Sequence, residues 1–302
     1  MSDPKFHKYP KIRQLGHEEN TGIVSEPEDL IVIEEKIDGG NFRFMLKDGK
    51  ILFGSRTQSL GYEDDNIGGN WKRCVEYIKE KAKKEGIYPG IYYGECCVKH
   101  SIHYNFDDMP PFLGFDVWSF SKEGFLNSKA KTEAFRLLQL PMVPVIWTGS
   151  AKDIPKINDE FVPKSQYYEG PAEGVVIKNY SKQLMAKYVT DKFKEVNKKA
   201  FGTPKKFAEN DDERIVATYC TNARIDKCIF KLIDDGHKLE MKLMHELPHR
   251  VIEDIYEEHW RDICFSNFSV NFRQIKKKVS TRCLHVLKQV MVNNALSGGD
   301  NE

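Results

Sequence analysis

Hydrophobic positions along the chain follow two rhythms, and the change between them divides it. Up to about residue 190 the apolar residues come in short β-branched runs or in alternation, the period of extended strands. Leu30-Ile31-Val32-Ile33 is such a run. Asn41 to Leu46 alternates, with Phe42, Phe44 and Leu46 on one face and Asn41, Arg43 and Met45 on the other. Lys50 to Arg56 reads as a third strand, joined to the second by the turn Asp48-Gly49. Further strands are expected over 90–96, 112–118, 173–178 and 184–189. Two helices interrupt them. Trp71, Val75, Ile78 and Ala82 recur at helical spacing until Gly86, and a second helix runs from Ser128, as N-cap, to Gln139 before Pro141. The stretches 1–29 and 57–70 show little periodicity and are expected to be irregular, with short strands in the first. Meanders with helices laid across them predict an α+β fold on antiparallel sheet.

Lysines then cluster. Lys187, Lys192, Lys194, Lys198, Lys199 and Lys205 face only Asp191 and Glu195, and Gly202 and Pro204 break the chain. This predicts a boundary between domains 1–202 and 203–302, which suits a chain of 302 residues. Beyond it the period becomes helical: Ile215, Val216 and Tyr219; Ile225, Cys228, Ile229 and Leu232; Ile252, Ile255 and Ile263 after Pro248; and Ile275, Val279, Cys283, Leu287 and Val290. The last helix opens on a basic run, Arg273 to Lys278, and a disordered tail is expected from about residue 297.

Lys+Arg (46) nearly balances Asp+Glu (45), so only local clusters could speak for nucleic acid. No run approaches the roughly 20 apolar residues of a membrane span, and the first residues lack a signal-peptide core. The seven cysteines show no Cys-x-x-Cys pairing, which points to free thiols in a reducing compartment rather than a disulfide framework or a zinc site. A protein of the cytoplasm or nucleus, neither secreted nor membrane-bound, is expected.

The chemistry centres on Glu34-Glu35-Lys36-Ile37-Asp38-Gly39-Gly40-Asn41, between the first two strands. Lys36 and Asp38, two apart in extended chain, project from one face, and the glycines permit positive φ or close approach. By itself the stretch reads as a β-hairpin with a solvated lysine. Downstream, polar residues are set into apolar strands: Arg56 at a strand end, Glu95 after Gly94, Asp116 after Phe115, Glu173 and Lys178 flanking Gly174-Val175-Val176-Ile177, and Lys187.

In this order the blocks resemble the covalent nucleotidyltransferase superfamily of polynucleotide ligases and messenger-RNA capping enzymes. Lys36-Ile37-Asp38-Gly39 matches its nucleophile motif, Lys-x-Asp-Gly, and Glu173 to Lys178 matches its fourth motif. Asn41, Gly54-Ser55-Arg56-Thr57 and the block Gly94 to Ser101 are most similar to ATP-dependent RNA ligases of the nick-sealing branch. The resemblance covers about residues 30–195. The family's last motif often reads Lys-x-Lys, whereas Met185-Ala186-Lys187 stands here, so either Lys182 or Lys192 substitutes for the missing lysine or Lys187 serves alone.

What the resemblance implies is an adenylation domain on antiparallel sheet followed by a helical domain that binds nucleic acid. ATP and Mg2+ (or Mn2+) would be cofactors, nicked duplex RNA the partner, and the protein a monomer. Lys36 would attack the α-phosphorus of ATP, the adenylate would pass to a 5′-phosphate, and a 3′-hydroxyl would displace AMP. Phe115 would stack on adenine, Glu95 contact the ribose, and Glu35, Asn41 and Arg56 serve the nucleotide or the 5′-phosphate end. Lys178 and Lys187 would reach the α-phosphate, and Asp38, Glu95 and Glu173 would support the metal. His100 and His103 read as structural or substrate-facing. A lysine attacks only when neutral, and its ordinary pKa of about 10.4 must come down. Asp38 opposes that, so the lowering is assigned to Lys178, Lys187 and the metal. A DNA ligase, a GTP-using capping enzyme and a non-catalytic RNA-binding protein of the same fold are the alternatives. Helical periodicity after Gly202, where DNA ligases and capping enzymes usually carry a β-barrel, favours RNA.

Overall fold

The structure is a computed structural model that describes residues 7–98, 102, 104–190, 211–265 and 271–297. The expected boundary at 202, the lysines from 192 to 205, His100, His103 and the tail beyond 297 lie outside the described residues. The chain divides into two compact units, Met1–Phe193 and Lys194–Glu302.

Two sheets form the first unit. One has the order β1 (Arg13–Gln14), β11 (Leu184–Val189), β10 (Gly174–Asn179), β2 (Leu30–Glu35) and β9 (Val145–Ser150), with β1 parallel to its neighbour and the rest antiparallel. The other runs β5 (Ser59–Tyr62), β4 (Lys50–Ser55), β3 (Gly40–Lys47), β6 (Gly90–Cys96), β7 (Phe112–Ser119) and β8 (Gly124–Phe125), antiparallel throughout.

The strands flanking Lys36 therefore do not pair as a hairpin. β2 is buried on both faces and takes β10 and β9 as neighbours, and the chain crosses to the other sheet over Lys36–Gly39. Gly39 serves that crossing by close approach, because a Cβ there would lie 2.5 Å from the Cys96 carbonyl oxygen. The hairpin expected between β3 and β4 is present, with Asp48 and Gly49 at φ 51° and 72°, the signature of a type I′ turn.

The alternation of β3 sorts its side chains between two cores. Phe42 and Phe44, with Ile51 and Phe53, pack under α1 (Lys72–Lys81) and α2 (Ser128–Leu137) against Val75, Ile78, Ala134 and Phe135. Each fully buried side chain of this kind contributes roughly 1.5–3 kcal/mol. Met45, on the opposite face, meets Val32 and Tyr180 of the five-stranded sheet in a core between the sheets. Ile31, Ile33, Val175 and Ile177 point the other way and are covered by Val162 and Phe161. The α2 cap is Asn127, one residue before the expected Ser128, and its side chain accepts from the Ala130 N–H.

In the second unit α3 (Asp211–Tyr219), α4 (Asn222–Asp234), α5 (Leu247–Phe265) and α6 (Phe272–Ser297) bury Ile215, Ile225, Ile229, Leu232, Ile255, Val279, Cys283 and Leu287 in one core. Pro248 lies in the first turn of α5, where its missing N–H costs nothing. No described helix is long and apolar enough to cross a membrane.

Candidate active site

Strand alternation decides which side chains enter the space between the sheets. On β2, Ile31, Ile33 and Glu35 point to the outer core while Val32 and Glu34 point inward, and Lys36 extends the inward row. Lys36 Nζ lies 2.6 Å from Glu173 Oε2, and its backbone N–H donates to the Gly174 carbonyl at 3.0 Å. Gly174 is required there, since a Cβ would meet the Tyr188 carbonyl at 1.9 Å. From the other sheet, Asn41 and Glu95 stand opposite each other on β3 and β6, and Arg56 follows Ser55, the partner of Phe42. Asn41 Oδ1 is buried and makes no hydrogen bond to a described residue.

Asp38 is also buried. Its Oδ2 accepts from the Ile102 N–H at 2.8 Å, and its own N–H donates to the Tyr104 hydroxyl at 2.9 Å. Burial works against the Lys36 ammonium, but the charges of Glu173, Glu95 and Asp38 outweigh it and push its pKa above the ordinary lysine value. The lowering expected of Lys178, Lys187 and a metal ion together is not supplied by the two lysines alone. Lys187 acts on Glu173, favouring its carboxylate.

Lys178 is engaged elsewhere. Its Nζ lies 2.6 Å from Glu34 Oε2 and 2.8 Å from Asp116 Oδ2, and donates to the Phe115 carbonyl at 2.9 Å. Lys131, on α2, joins the same cluster: it pairs with Glu34 and donates to the Phe115 carbonyl at 2.8 Å and to the Tyr180 hydroxyl at 2.6 Å. Tyr9 and Tyr180 donate to the two Asp116 oxygens at 2.6 and 2.7 Å. Two ammoniums and two carboxylates thus neutralise one another in a buried network that ties both sheets and α2 together. Against burial, Lys178 and Lys131 hold Asp116 below the usual carboxylate range. In the sequence Lys131, Tyr9 and Tyr180 are not candidates, and Glu34, though within the central stretch, has no assigned role. A lysine on the apolar stripe of Ala134, Phe135 and Leu138 is the signal that marks the first.

Phe115 reaches the site through a β-bulge. Tyr93 pairs with Asp116 and Gly94 with Gly114, so Phe115 is the extra residue on β7. The bulge brings two sequence neighbours inward: the Asp116 carboxylate into the network, and the half-buried Phe115 ring against Tyr9, centroids 4.9 Å apart. Glu35, by contrast, faces away from Lys36's side; its Oε2 accepts from the Gln166 N–H at 3.4 Å, and burial raises its pKa. Met185 stands opposite Lys178 across β10 and β11, with its sulfur 3.1 Å from the Tyr9 hydroxyl oxygen. A lysine in its place would set a third cation beside Lys178 and Lys131. Lys182 pairs with Glu26 at 3.6 Å and does not replace it.

Among the described residues no group of three or more His, Cys, Asp or Glu side chains is arranged to hold a metal ion by itself. Asp38, Glu95 and Glu173 nonetheless offer the hard oxygen donors that magnesium or manganese takes, and their summed negative charge acts at Lys36.

The RNA ligase family profile matches residues 29–189, more than half of the chain, and includes Lys36, Asp38, Asn41, Arg56, Glu95, Phe115, Glu173, Lys178 and Lys187. The chain belongs to the RNA ligase family. Among solved structures, a Lys-to-Ala variant of the Naegleria gruberi RNA ligase with ATP and Mn is 18% identical with a TM-score of 0.51, over 65% of this chain and 59% of that one. A Glu-to-Ala variant of the same ligase with AMP and Mn matches with the same identity, TM-score and coverage. These likenesses show the nucleotidyltransferase fold, and the chain spans about three fifths of the structures it matches. None of the curated proteins compared matches it. The five-stranded sheet supplies Lys178 and Lys187, with Lys36 just past the end of β2 and Glu173 just before β10, and the six-stranded sheet supplies Asn41, Glu95 and Phe115.

Proposed function

We propose that the protein is an ATP-dependent RNA ligase that joins a 3′-hydroxyl to a 5′-phosphate at nicks in duplex RNA, by way of lysyl-AMP and adenylated RNA. The observation that carries the reading is the Lys36–Glu173 pair at the crossing between the sheets, with Glu95, Asn41, Phe115 and Lys187 facing the same space. The nucleotide enters between the sheets, its base against Phe115 and its phosphates toward Lys36 and Lys187.

The carboxylates around Lys36 keep it an ammonium in the resting arrangement, which guards the amine from unproductive reaction. A divalent ion bound with the triphosphate would offset that negative charge, favour the neutral amine and stabilise charge on the α-phosphate. Once its proton has passed to solvent, the neutral Lys36 amine attacks the α-phosphorus, the N–P bond forming as the bond to the bridging oxygen breaks and pyrophosphate leaves. Glu173 accepts the Lys36 hydrogen bond and orients the amine. Lys178 is held back by Glu34 and Asp116, so its part is to fix Phe115 and the sheet pairing beneath the nucleotide.

We place the RNA-binding surface of the second unit on the exposed Arg273, Lys276 and Lys277 at the start of α6, which would grip phosphates without reading sequence. The seven free thiols, six of them buried, suit action inside the cell.

Incubation with α-labelled ATP and Mg2+ followed by peptide mapping tests the first step. Label on the peptide containing Lys36 is expected, and label elsewhere or none overturns the reading. Faster sealing of nicks with a 3′-terminal ribose than a deoxyribose is expected, and equal rates would remove the preference for RNA.

A further inference from the structure

The nucleophile's turn is held by a residue that the reaction scheme does not use. We infer that Tyr104 is a positioning residue for Lys36, its hydroxyl pinning the backbone of Asp38 so that the turn Lys36–Gly39 presents the amine to the nucleotide. The inference rests on the adenylation reading above.

Three contacts carry it. The Asp38 N–H donates to the Tyr104 hydroxyl at 2.9 Å, with both residues buried. From the same segment, the Ile102 N–H donates to Asp38 Oδ2 at 2.8 Å, so the turn is grasped at backbone and side chain together. On its far side the turn is closed by β6, where Gly39 fits against the Cys96 carbonyl with no room for a Cβ. The turn is therefore clamped between β6 on one hand and Ile102 and Tyr104 on the other.

The Tyr104 ring is fixed in its turn. It meets Tyr168 edge-on at 5.6 Å and 88°, and Phe106 at 6.2 Å and 84°. A rigid phenol is a better anchor than a mobile one, because the acceptor sits in place before the turn is loaded. The aromatic cluster of Tyr104, Phe106 and Tyr168 thus acts on the chemistry through the 2.9 Å hydrogen bond to Asp38. Without that bond the buried Asp38 N–H lacks its acceptor, and the turn must shift to find another.

The test is Tyr104→Phe, which keeps the ring and removes the acceptor. With α-labelled ATP, the adenylation rate at saturating ATP should fall about tenfold, equivalent to about 1.4 kcal/mol, while KM for ATP stays within about twofold. Sealing of a pre-adenylated nick, which needs no attack by Lys36, should run at the unsubstituted rate. Tyr104→Leu, lacking both ring and hydroxyl, should lower adenylation further and again spare sealing. Adenylation by Tyr104→Phe at the unsubstituted rate overturns the inference. So does an equal loss of adenylation and sealing, which marks a role in general folding, as does a lowered melting temperature that accounts for the loss. Absence of labelling in the unsubstituted protein would instead sink the ligase reading itself.

Discussion

Lys131 Nζ on α2 and Lys178 Nζ on β10 donate to one acceptor, the backbone oxygen of Phe115, at 2.8 and 2.9 Å. Two like charges so close persist because Glu34 and Asp116 lie between them, and every member is buried. Lys131→Met leaves Glu34 with half its compensation and should destabilise the first unit by about 3–5 kcal/mol in urea unfolding. The double variant Lys131→Met with Glu34→Gln should recover part of the loss, because no orphaned charge remains.

Acid should dissolve the same network. Asp116 is held below its ordinary pKa, so the stability it contributes is present above about pH 4 and is lost as pH falls through its lower folded value. Asp116→Asn should therefore lower stability at pH 7 and flatten its decline between about pH 4 and 2, read by urea unfolding across that window.

Lys36→Arg separates charge from nucleophilicity. Arginine can keep a pair with Glu173, yet stays protonated at any working pH. Labelling with α-labelled ATP should vanish while the melting temperature holds within a few degrees, and closure of a pre-adenylated nick should persist. Covalent label on the variant would remove Lys36 as the attacking group.

The pH dependence of adenylation follows from the charges at Lys36. Its pKa is raised by Glu173, Glu95 and Asp38 against burial, so the neutral fraction grows with pH and the single-turnover rate should rise from pH 6 to 9. Glu173→Gln removes the nearest anion and should move that rise to lower pH, while lowering the maximal rate because the amine loses its oriented partner. A flat profile would mean that proton loss from Lys36 does not limit the step.

Two substitutions distinguish site from scaffold. Gly39→Ala must push the crossing off the Cys96 carbonyl, and should cut adenylation at least tenfold with a small change in melting temperature. Val175→Asp sets an unpaired charge in the outer core of the five-stranded sheet and should unfold the first unit, read by loss of cooperative melting.

Much of this was legible in the chain because short-range patterns encode it. The alternation over Phe42, Phe44 and Met45 separates two cores that are there, and Asp48-Gly49 forms the turn such a pair demands. The helical positions Ile225, Ile229, Val279 and Cys283 are buried as their spacing requires. What stayed hidden depends on contacts between distant segments. The pairing of β2 with β9 and β10 instead of β3 cannot be read from a hairpin-like sequence, since Asp-Gly-Gly between apolar runs suits a turn equally well. β9 itself, Val145–Ser150, lacks regular alternation because its side chains are half-exposed on both faces. The inward aim of both Phe115 and Asp116 rests on a bulge, which alternation forbids. The pairing of Lys178 with Glu34 and Asp116 is invisible in the sequence because those partners lie on other strands, and Lys131 does not stand out because helix lysines are usually solvated.

Glu35 ends its strand in one sheet and Gly40 begins the next strand in the other. Five peptide steps reach at most roughly 17 Å, so at this edge the two halves of the cleft are leashed by the backbone of Lys36 and its neighbours. Whatever wedges them apart tugs on that leash, and a nucleotide joined to Lys36 would be moored to both walls at once.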